Sequence, residues 1–464
     1  MARNGEIING DAMQMYAGLP IITNKITPEE TKGIPHHLLG NVSLSSQPWT
    51  VLQFKKEAEG IIKGIRSRGK LPILVGGTHY YTQSLLFEDT LVGRDPEDEE
   101  SHLSREELET KYPILLESEE TILNKLREVD PVMADRWHPK ERKRIKRSLE
   151  IYLTTGRKAS DIYKEQWERK EAQQAEAAKA AALSDDKKVV SLPSTLLFWV
   201  HTERETLKTR LDNRIDKMLH RGLLDEVREI SAFENAEIAA GHNIDRGSGI
   251  WVSIGFKEFT PYLAAEADPS FTEKDKQRAL MQSIEKTKAA TRQYASSQVK
   301  WIRTKLVTAL NTNSALQNLY LVDATDASHF QQNAANPAID VCTKFLQGEE
   351  LPKPETLAPV VAELLQPTRK FEHASRQDLW VRKTCEICNQ VAVSEEAWEI
   401  HLKSRAHRAR VRKANRPPRV PRIKETTTGG DNSMASADLV VDSAEAENSS
   451  LVESSQTADN ENKK

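Results

Sequence analysis

The chain has 464 residues and a mass of 52.4 kDa, which is enough for two or three domains, while its apolar share of 38 % and mean hydropathy of -0.60 are low and indicate sizeable unpacked segments. Its 66 Lys and Arg against 69 Asp and Glu give a net charge of -3, which excludes a wholly basic, histone-like binder. Three cysteines exclude a disulfide scaffold, no run approaches the roughly 20 apolar residues of a membrane helix, and the N-terminus resembles neither a signal peptide nor a transit peptide, so we expect a soluble intracellular protein.

Residues 1–90 are predicted to form α/β structure. Residues 6–9 resemble a short strand, and residues 52–68 carry apolar side chains at helical spacing before Gly69, a suitable helix C-cap. Residues 71–75 are an unbroken apolar run, which predicts a strand buried on both faces. A glycine-rich turn and a helix from His79 follow. This order of elements is typical of a parallel sheet with crossover connections.

The middle of the chain is predicted to be mainly helical. Residues 97–165 are charged, and within them Ile145, Leu149 and Tyr152 fall on one helical face opposite a basic face. Residues 165–188 are rich in Ala, Glu and Lys and are predicted to form an exposed helix or a linker. Further along, the pattern predicts strands at 195–200, 301–303 and 319–322 and helices at 203–233 and 275–300.

The C-terminal part changes composition several times. Prolines mark a linker from about residue 350, and residues 380–412 read as a compact module. Residues 401–424 hold ten Lys and Arg and no acid, whereas residues 425–464 hold nine acids against two Lys and are predicted to be disordered.

Two cysteines and two histidines in this part have the spacing of a zinc site. Cys385, Cys388, His401 and His407 form the pattern C-x2-C-x12-H-x5-H, which supplies the four N and S donors of a tetrahedral structural Zn²⁺ site. The five-residue histidine spacing is similar to that of RNA-associated fingers. The basic residues that follow fit phosphate contacts, with a nuclear-localisation run as the alternative. Cys342 is predicted to be a core thiol.

Near the N-terminus, polar residues follow two predicted strands. Asp11 lies at the carboxyl end of the first, where α/β folds place ligands, although a helix N-cap explains it equally well. The turn of Gly76, Gly77 and Thr78 suits an anion, with tight packing as the alternative. His36 and His37 are expected to pack or to contact substrate rather than to bind metal.

Eight segments resemble, in order, the tRNA dimethylallyltransferase (tRNA isopentenyltransferase) family over about residues 5–305, and the finger with its basic run resembles the eukaryotic members. The segments are NGDAMQMY, ITNK, GIPHHLL, RGKLPILVGGTHYY, HPKERKRIKRSLEIYLTTGRK, RLDNRIDKMLHRGLLDEV, IWVSIGFKEF and TRQYASSQVKWIR. The resemblance implies a P-loop-kinase-like α/β core with a helical insertion that holds the tRNA anticodon stem-loop. It also implies transfer of a dimethylallyl group from dimethylallyl diphosphate to N6 of adenine 37.

The resemblance also implies roles for single residues. Asp11 would accept the amine proton and Gln14 would hold the extruded adenine. Thr78, next to Gly76 and Gly77, would line the channel for the prenyl diphosphate, and Arg214 would help to neutralise the leaving diphosphate. The tRNA-contact motif Q-R-x-x-R is represented by the residues Lys143, Arg144 and Arg147, so a base contact is replaced by a phosphate contact.

One departure from the family concerns the phosphate-binding loop. The family has a strand and a G-x-x-x-x-G-K-[S/T] loop about two dozen residues before its D-x-x-Q motif, but this sequence begins ten residues before Asp11. Residues 64–70 match the glycines and lysine of that motif, yet Leu71 replaces the Ser or Thr that would hold Mg²⁺, and they run from helix to strand. We therefore expect an N-terminally truncated chain with an open sheet position, an incomplete site for Mg²⁺ with the diphosphate, and little prenyl transfer.

These observations divide the chain as follows: 1–92 and 191–345 as the two parts of the α/β core, 93–190 as the helical tRNA-binding insertion and its linker, 346–379 as a second linker, 380–413 as the finger, and 414–464 as a basic then acidic disordered tail. The alternative functions are a non-catalytic tRNA- or RNA-binding protein of the same descent and, more weakly, a nucleotide kinase. A monomer without membrane contact is expected in the cytoplasm, with mitochondrial and nuclear pools left open.

Overall fold

The computed structural model describes residues 4–87, 105–183, 195–242, 244–367 and 380–415, and the predicted tail beyond residue 415 lies outside these ranges. Seven short strands lie within them: β1 (Gly5–Asn9), β2 (His36–His37), β3 (Leu71–Val75), β4 (Leu197–His201), β5 (Leu319–Asp323), β6 (Lys383–Thr384) and β7 (Val391–Ala392). None of the helices in these ranges is both long and apolar enough to cross a membrane.

The core strands are parallel, as predicted, but within the described ranges they form two separate sheets. One sheet has the order β2-β1-β3, with Ile7 opposite Ile73, and the other pairs β4 with β5. Between β3 and β4 no pairing is present among the described residues. The predicted strand at 319–322 is confirmed by β5.

The core helices follow the predicted periodicity. They are α1 (Val51–Ser67), α2 (His79–Leu86), α8 (Arg204–His220), α9 (Leu223–Ala239), α10 (Phe256–Ala267), α11 (Glu273–Trp301), α12 (Val307–Thr312) and α13 (Asn336–Gln347). Helix α1 begins with a capping box in which Thr50 and Gln53 exchange hydrogen bonds, a device that contributes about 1 kcal/mol. It ends before Gly69, whose φ of 68° confirms the predicted left-handed C-terminal glycine.

One hydrophobic core joins distant parts of the sequence. Ile8 of β1, Phe54 of α1 and Leu19 pack in the same cluster as Val227 of α9 and Phe259 of α10. A second cluster covers the sheet of β4 and β5. Described residues on both sides of the segment 105–183 therefore build a common α/β core around the end of β1, where Asp11 lies. The predicted domain boundaries themselves stay predictions.

Four sequence-based expectations about the core were wrong. The predicted helix at 203–233 is two helices because Gly222, with φ 105°, breaks it. Residues 301–303 are helical rather than extended, since α11 continues into a π-helical turn whose Ile302 packs in the second cluster.

The third expectation concerns β3. It is not buried on both faces: Leu74 packs on the core, whereas Val75 is 54 % exposed because no described residue covers that side. Cys342 is half-buried on α13 rather than a core thiol.

The helical insertion packs around a core of its own. Its helices are α3 (Arg105–Lys111), α4 (Glu119–Val129), α5 (Pro131–Arg136), α6 (Arg142–Thr155) and α7 (Ala159–Leu183). Ile145 and Leu149 of α6 are fully buried, which confirms the predicted apolar face, and they contact Ile122 and Leu126 of α4 within one cluster. The basic face of α6 is consequently directed away from this core.

Part of the predicted C-terminal linker packs onto the α/β core. Ala358 and Leu365 are buried in the second cluster, and the Tyr320 hydroxyl donates to the Pro352 carbonyl at 2.6 Å. Proline content indicates a lack of regular helix but does not preclude packing. The finger follows with β6, β7, α14 (Glu395–Lys403) and α15 (Arg405–Ala414).

A buried carboxylate joins three segments at the far end of β1 from Asp11. The Glu6 side chain is 4 % exposed and accepts from His37 Nε2 at 2.7 Å, Arg68 Nη2 at 2.7 Å and Lys70 Nζ at 2.8 Å. These hydrogen bonds, with Lys70 first and His37 second, lower the pKa of Glu6 from 4.5 to about 2 against the opposing effect of burial. His37 thus packs against Glu6, one of the two roles expected of it.

We expect Glu6→Gln to destabilise the protein in a pH-dependent way. Because the folded pKa lies below the unfolded one, the contribution of the carboxylate is fully present above about pH 4.5 and is lost as the pH falls toward 2. The difference in unfolding free energy between wild type and variant should therefore shrink from about pH 6 to about pH 3 in urea titrations. Glu59→Gln, at an exposed position of α1, is the matched control; a pH-independent difference for Glu6→Gln would contradict this account.

Candidate active site and metal-binding finger

Asp11 lies directly after β1, and its two carboxylate oxygens differ in their contacts. Oδ1 accepts from the Met13 amide at 2.9 Å, and the Asp11 amide donates to Asn9 Oδ1 at 3.0 Å. The helical turn that follows, Met13–Met15, has Ala12 as its N-cap and no side-chain cap hydrogen bond, so the N-cap alternative for Asp11 was wrong and its contact with Met13 is a local turn. Oδ2 accepts no hydrogen bond among the described residues and lies 3.6 Å from the position that a Cβ on Gly77 would occupy. One oxygen thus holds the turn, and the other is available to a ligand.

The turn of Gly76, Gly77 and Thr78 is packed against the residues around Asp11. The Thr78 amide donates to the Gly10 carbonyl at 3.2 Å, and Thr78 Oγ1 accepts from the Ala12 amide at 3.0 Å. A Cβ on Gly76 would lie 2.1 Å from the Gly10 carbonyl carbon, so only glycine fits. The turn is therefore tightly packed, as the alternative interpretation expected, and the Gly76 and Gly77 amides donate to no carbonyl within the described ranges. The expected anion contact stays a prediction.

Two cations lie near Asp11. Arg214, a predicted site residue, lies on α8. Desolvation lowers its pKa, and the charge of the nearby Asp11 carboxylate opposes this. Arg214 makes no hydrogen bond to any described residue. Lys25 donates to the Gly18 carbonyl and to Thr23 Oγ1. Burial lowers the pKa of Lys25 to about 8, opposed by the charges of Glu226 and Asp11.

Gln14, the predicted adenine contact, lies one turn beyond Asp11. The side-chain Nε2 of Gln14 donates to the Asn24 carbonyl at 3.2 Å. The backbone carbonyl of Gln14 accepts from the Gly40 amide at 2.9 Å. The side chain is half-buried, and its Oε1 has no partner in the described part of the chain. Asp11, Gln14, Thr78, Gly76, Gly77 and Arg214 are thus brought to one edge of the β1–β3 sheet.

The three predicted tRNA-contact residues lie on α6 and already have partners. Lys143 Nζ donates to the Gly247 carbonyl at 2.8 Å, Arg144 pairs with Glu141 at 2.6 Å, and Arg147 pairs with Glu150 at 2.5 Å. Lys143 therefore ties the insertion to the core. None of the three contacts Asp11. Desolvation raises the pKa of Tyr80, at the start of α2, and the charge of Arg147 opposes this rise.

The four predicted metal ligands converge in the finger. Their ligand atoms all lie within 4.8 Å of one another, with Cys388 Sγ 3.4 Å and Cys385 Sγ 3.6 Å from His407 Nδ1. His401 Nε2 is buried without a hydrogen-bond partner, which a metal ion would satisfy. The set could hold a metal ion, and it is the one such group of three or more residues found in the described ranges.

The finger is docked on the insertion by aromatic and cationic side chains. The Arg136 guanidinium lies over the rings of Trp137 at 5.0 Å and Trp380 at 4.9 Å, and Tyr163 meets Trp380 edge-on at 6.2 Å. Arg382 donates to the Ala134 carbonyl at 3.3 Å. These contacts join the start of the finger segment to the insertion.

Sequence reasoning missed three residues around the site. Gln298 of α11 donates to the Gly77 carbonyl at 3.0 Å, and Glu226 of α9 holds the loop that contains Lys25. Lys25 and Glu226 fall within segments that carry the family resemblance, ITNK and RLDNRIDKMLHRGLLDEV, which was the one available signal.

Comparison with known families agrees with this arrangement. A family model described as IPP transferase matches residues 14–305, and a model of a C2H2-type zinc finger matches residues 383–407. The first match covers more than half of the chain.

Individual relatives match over most of their length. A tRNA dimethylallyltransferase of Saccharomyces cerevisiae is 35 % identical over 422 residues, which cover 89 % of this chain and 87 % of that protein. A tRNA dimethylallyltransferase of Schizosaccharomyces pombe is 33 % identical over 90 % of this chain and 92 % of its own. A solved structure of a eukaryotic dimethylallyltransferase acting on tRNA is 33 % identical, covers 89 % of this chain and 91 % of that one, and superposes with a TM-score of 0.67.

Proposed function

Since the chain belongs to the IPP transferase family, as the matches over residues 14–305 and to the two yeast enzymes show, we propose that it is a tRNA dimethylallyltransferase that prenylates N6 of adenine 37 beside the anticodon. The observation that carries this proposal is the free Oδ2 of Asp11 beside the glycine turn, with Arg214 close by. A base and a cation in one place suit a reaction that releases a proton and an anion.

The proposed reaction balances in charge and atoms. The N6 amine attacks C1 of the dimethylallyl group and forms a C–N bond. The C–O bond to the diphosphate breaks, and its electron pair leaves with the diphosphate. The proton of the amine passes to Asp11 Oδ2, because an exocyclic amine becomes acidic only as it attacks. Adenine 37 must leave the stacked loop to reach this carboxylate. We propose that Gln14 holds it there, and the unpartnered Oε1 of Gln14 among the described residues supports this role.

Within the described part of the chain, Arg214 and the amides of Gly76 and Gly77 would stabilise the negative charge of the leaving diphosphate. Mg²⁺ would accompany the diphosphate and neutralise part of its charge; we assign it no ligand among the described residues.

For tRNA binding we propose two basic surfaces, one on α6 and one on α15. Lys143, Arg144 and Arg147 would exchange their present partners, the Gly247 carbonyl, Glu141 and Glu150, for phosphate oxygens, which accept charge-assisted hydrogen bonds. On α15 the side chains of Arg405, Arg408, Arg410, Arg412 and Lys413 are exposed. A structural Zn²⁺ on the four converging ligands would fix α15 to α14 and to the insertion.

The experiment that tests the function is single-turnover transfer of labelled dimethylallyl diphosphate to an anticodon stem-loop with adenine at position 37. It is run with this chain on loops with adenine or guanine at position 37. We expect transfer to the adenine loop and none to the guanine loop. If the chain transfers to neither loop but binds the adenine loop, the alternative of a non-catalytic RNA-binding protein is correct.

Removing zinc is expected to weaken tRNA binding without unfolding the α/β core. Because α15 carries five exposed cations, its loss should lower affinity at low salt by about tenfold or more and should reduce the salt dependence of binding. Chelation and His407→Ala should give the same loss in filter-binding titrations. Cys342→Ser, which changes the one cysteine outside the finger, is the control. An affinity indifferent to chelation would remove the finger from the RNA-binding surface.

The monomeric state, the cytoplasmic location and the mitochondrial and nuclear pools stay predictions.

A further inference from the structure

The loop of residues 17–25, which follows Gln14 in the chain, is clamped by a carboxylate from a distant helix. Glu226 of α9 is 7 % exposed, and its Oε1 and Oε2 accept from the amides of Ile21 at 2.8 Å and Ile22 at 2.7 Å. Two charge-assisted hydrogen bonds to neighbouring amides fix both the position and the direction of the loop. Nothing in the reaction derived above uses Glu226.

The loop needs such a clamp because its backbone is strained. Leu19 has a φ angle of 52°, in the left-handed region that costs a bulky residue conformational energy, whereas Asn24, with φ of 51°, is of a type that adopts this region readily. The side chains of Leu19 and Ile22 are 2 % and 6 % exposed and anchor the loop in the hydrophobic core. The Glu226 carboxylate is the polar anchor of the same loop, through the amides of Ile21 and Ile22.

The consequence reaches Gln14 through Asn24. A backbone carbonyl only accepts hydrogen bonds, so the Asn24 carbonyl, 3.2 Å from Gln14 Nε2, selects one of the two orientations of the Gln14 amide. The selected orientation leaves Oε1 and the second N–H of Gln14 without partners among the described residues. An acceptor beside a donor matches adenine, which offers the N6 amine beside the acceptor N7, whereas guanine offers two acceptors on that edge.

We propose that Glu226 is a positioning residue that, through the 17–25 loop, fixes the amide orientation of Gln14 and so makes the site select adenine over guanine at position 37. The inference rests on the proposed function and deepens it. Without the clamp the loop relaxes, the Asn24 carbonyl moves, and the Gln14 amide can turn over to present the wrong pair of groups.

The test compares wild type, Glu226→Gln, Gln14→Ala and the double variant in binding to three anticodon stem-loops, with adenine, guanine or an abasic site at position 37. We expect Glu226→Gln to weaken binding of the adenine loop by about tenfold and to leave binding of the abasic loop unchanged. The double variant should bind the adenine loop no more weakly than the weaker-binding single variant, because both substitutions disrupt the same contact. Glu229→Gln, exposed on the same helix, should have no effect.

Thermal melting shows whether each variant is folded, and Glu226→Asp, which keeps the charge but cannot span both amides, provides a milder change in the same direction. A folded Glu226 variant that keeps the full preference for adenine, or losses for Gln14 and Glu226 that add in full, would overturn the inference alone. A wild-type chain that binds the abasic loop as tightly as the adenine loop would overturn the adenine contact itself, and with it the proposed function.

Discussion

Replacing Asp11 with Asn should lower the single-turnover rate of prenyl transfer by about 10²- to 10⁴-fold, the range that general-base catalysis contributes. An amide has the shape of the carboxylate but accepts no proton at neutral pH. The Asn side-chain oxygen can still accept from the Met13 amide, so the turn after β1 should persist. Binding of the anticodon stem-loop and the melting temperature should therefore change little, and the loss should appear in the chemical step.

The control is Asp340→Asn, which removes an exposed carboxylate of α13 that pairs with Lys344 far from the turn. Its rate should equal that of wild type. An Asp11→Asn rate within about threefold of wild type would mean that another group takes the proton, because a factor of that size is below 1 kcal/mol of transition-state stabilisation.

Gly76→Ala should be among the most destabilising single substitutions in the chain. The added Cβ would lie 2.1 Å from the carbonyl carbon and 2.3 Å from the carbonyl oxygen of Gly10, both backbone atoms of the neighbouring strand connection. Relief requires the ends of β1 and β3 to separate, which breaks the hydrogen bond from the Gly10 amide to the Val75 carbonyl at 2.8 Å. We expect a loss of about 3 kcal/mol or more in unfolding free energy, measured by urea titration.

The same chemical change at Gly60 provides a control of opposite sign. Gly60 lies inside α1, and a Cβ there would meet nothing within 4 Å. Alanine should stabilise this helix by about 0.5–1 kcal/mol because it has the higher helix propensity. If Gly76→Ala lowered the unfolding free energy no more than Gly60→Ala does, our description of the turn as closely packed on Gly10 would be wrong.

Local patterns predicted much of this molecule because the physics that sets them is local. The period of apolar residues placed α1 and the buried face of α6, and the spacing of Cys385, Cys388, His401 and His407 brought four ligands together. The D-x-x-Q segment and the glycine turn were placed at one sheet edge because parallel strands end on the same side.

Some of what the sequence did not predict depends on contacts between distant residues. Gln298 and Gly77 are 221 positions apart, and neither residue type signals a partner. The exposure of Val75 likewise depends on which residues cover one face of β3.

Other misses are local. The break at Gly222 follows from the positive φ of that glycine. Arg144 and Arg147 pair with Glu141 and Glu150, each three residues away, which shows why a basic stretch alone does not reveal which charges are free for RNA.

The most direct measurement is a crystal structure of this chain with an anticodon stem-loop and a non-reactive analogue of dimethylallyl diphosphate. We predict that adenine 37 is turned out of the loop, with its N6 within about 3 Å of Asp11 Oδ2 and its edge on the Gln14 amide. A structure in which adenine 37 stays stacked in the loop, or binds with N6 facing away from Asp11, would contradict the account.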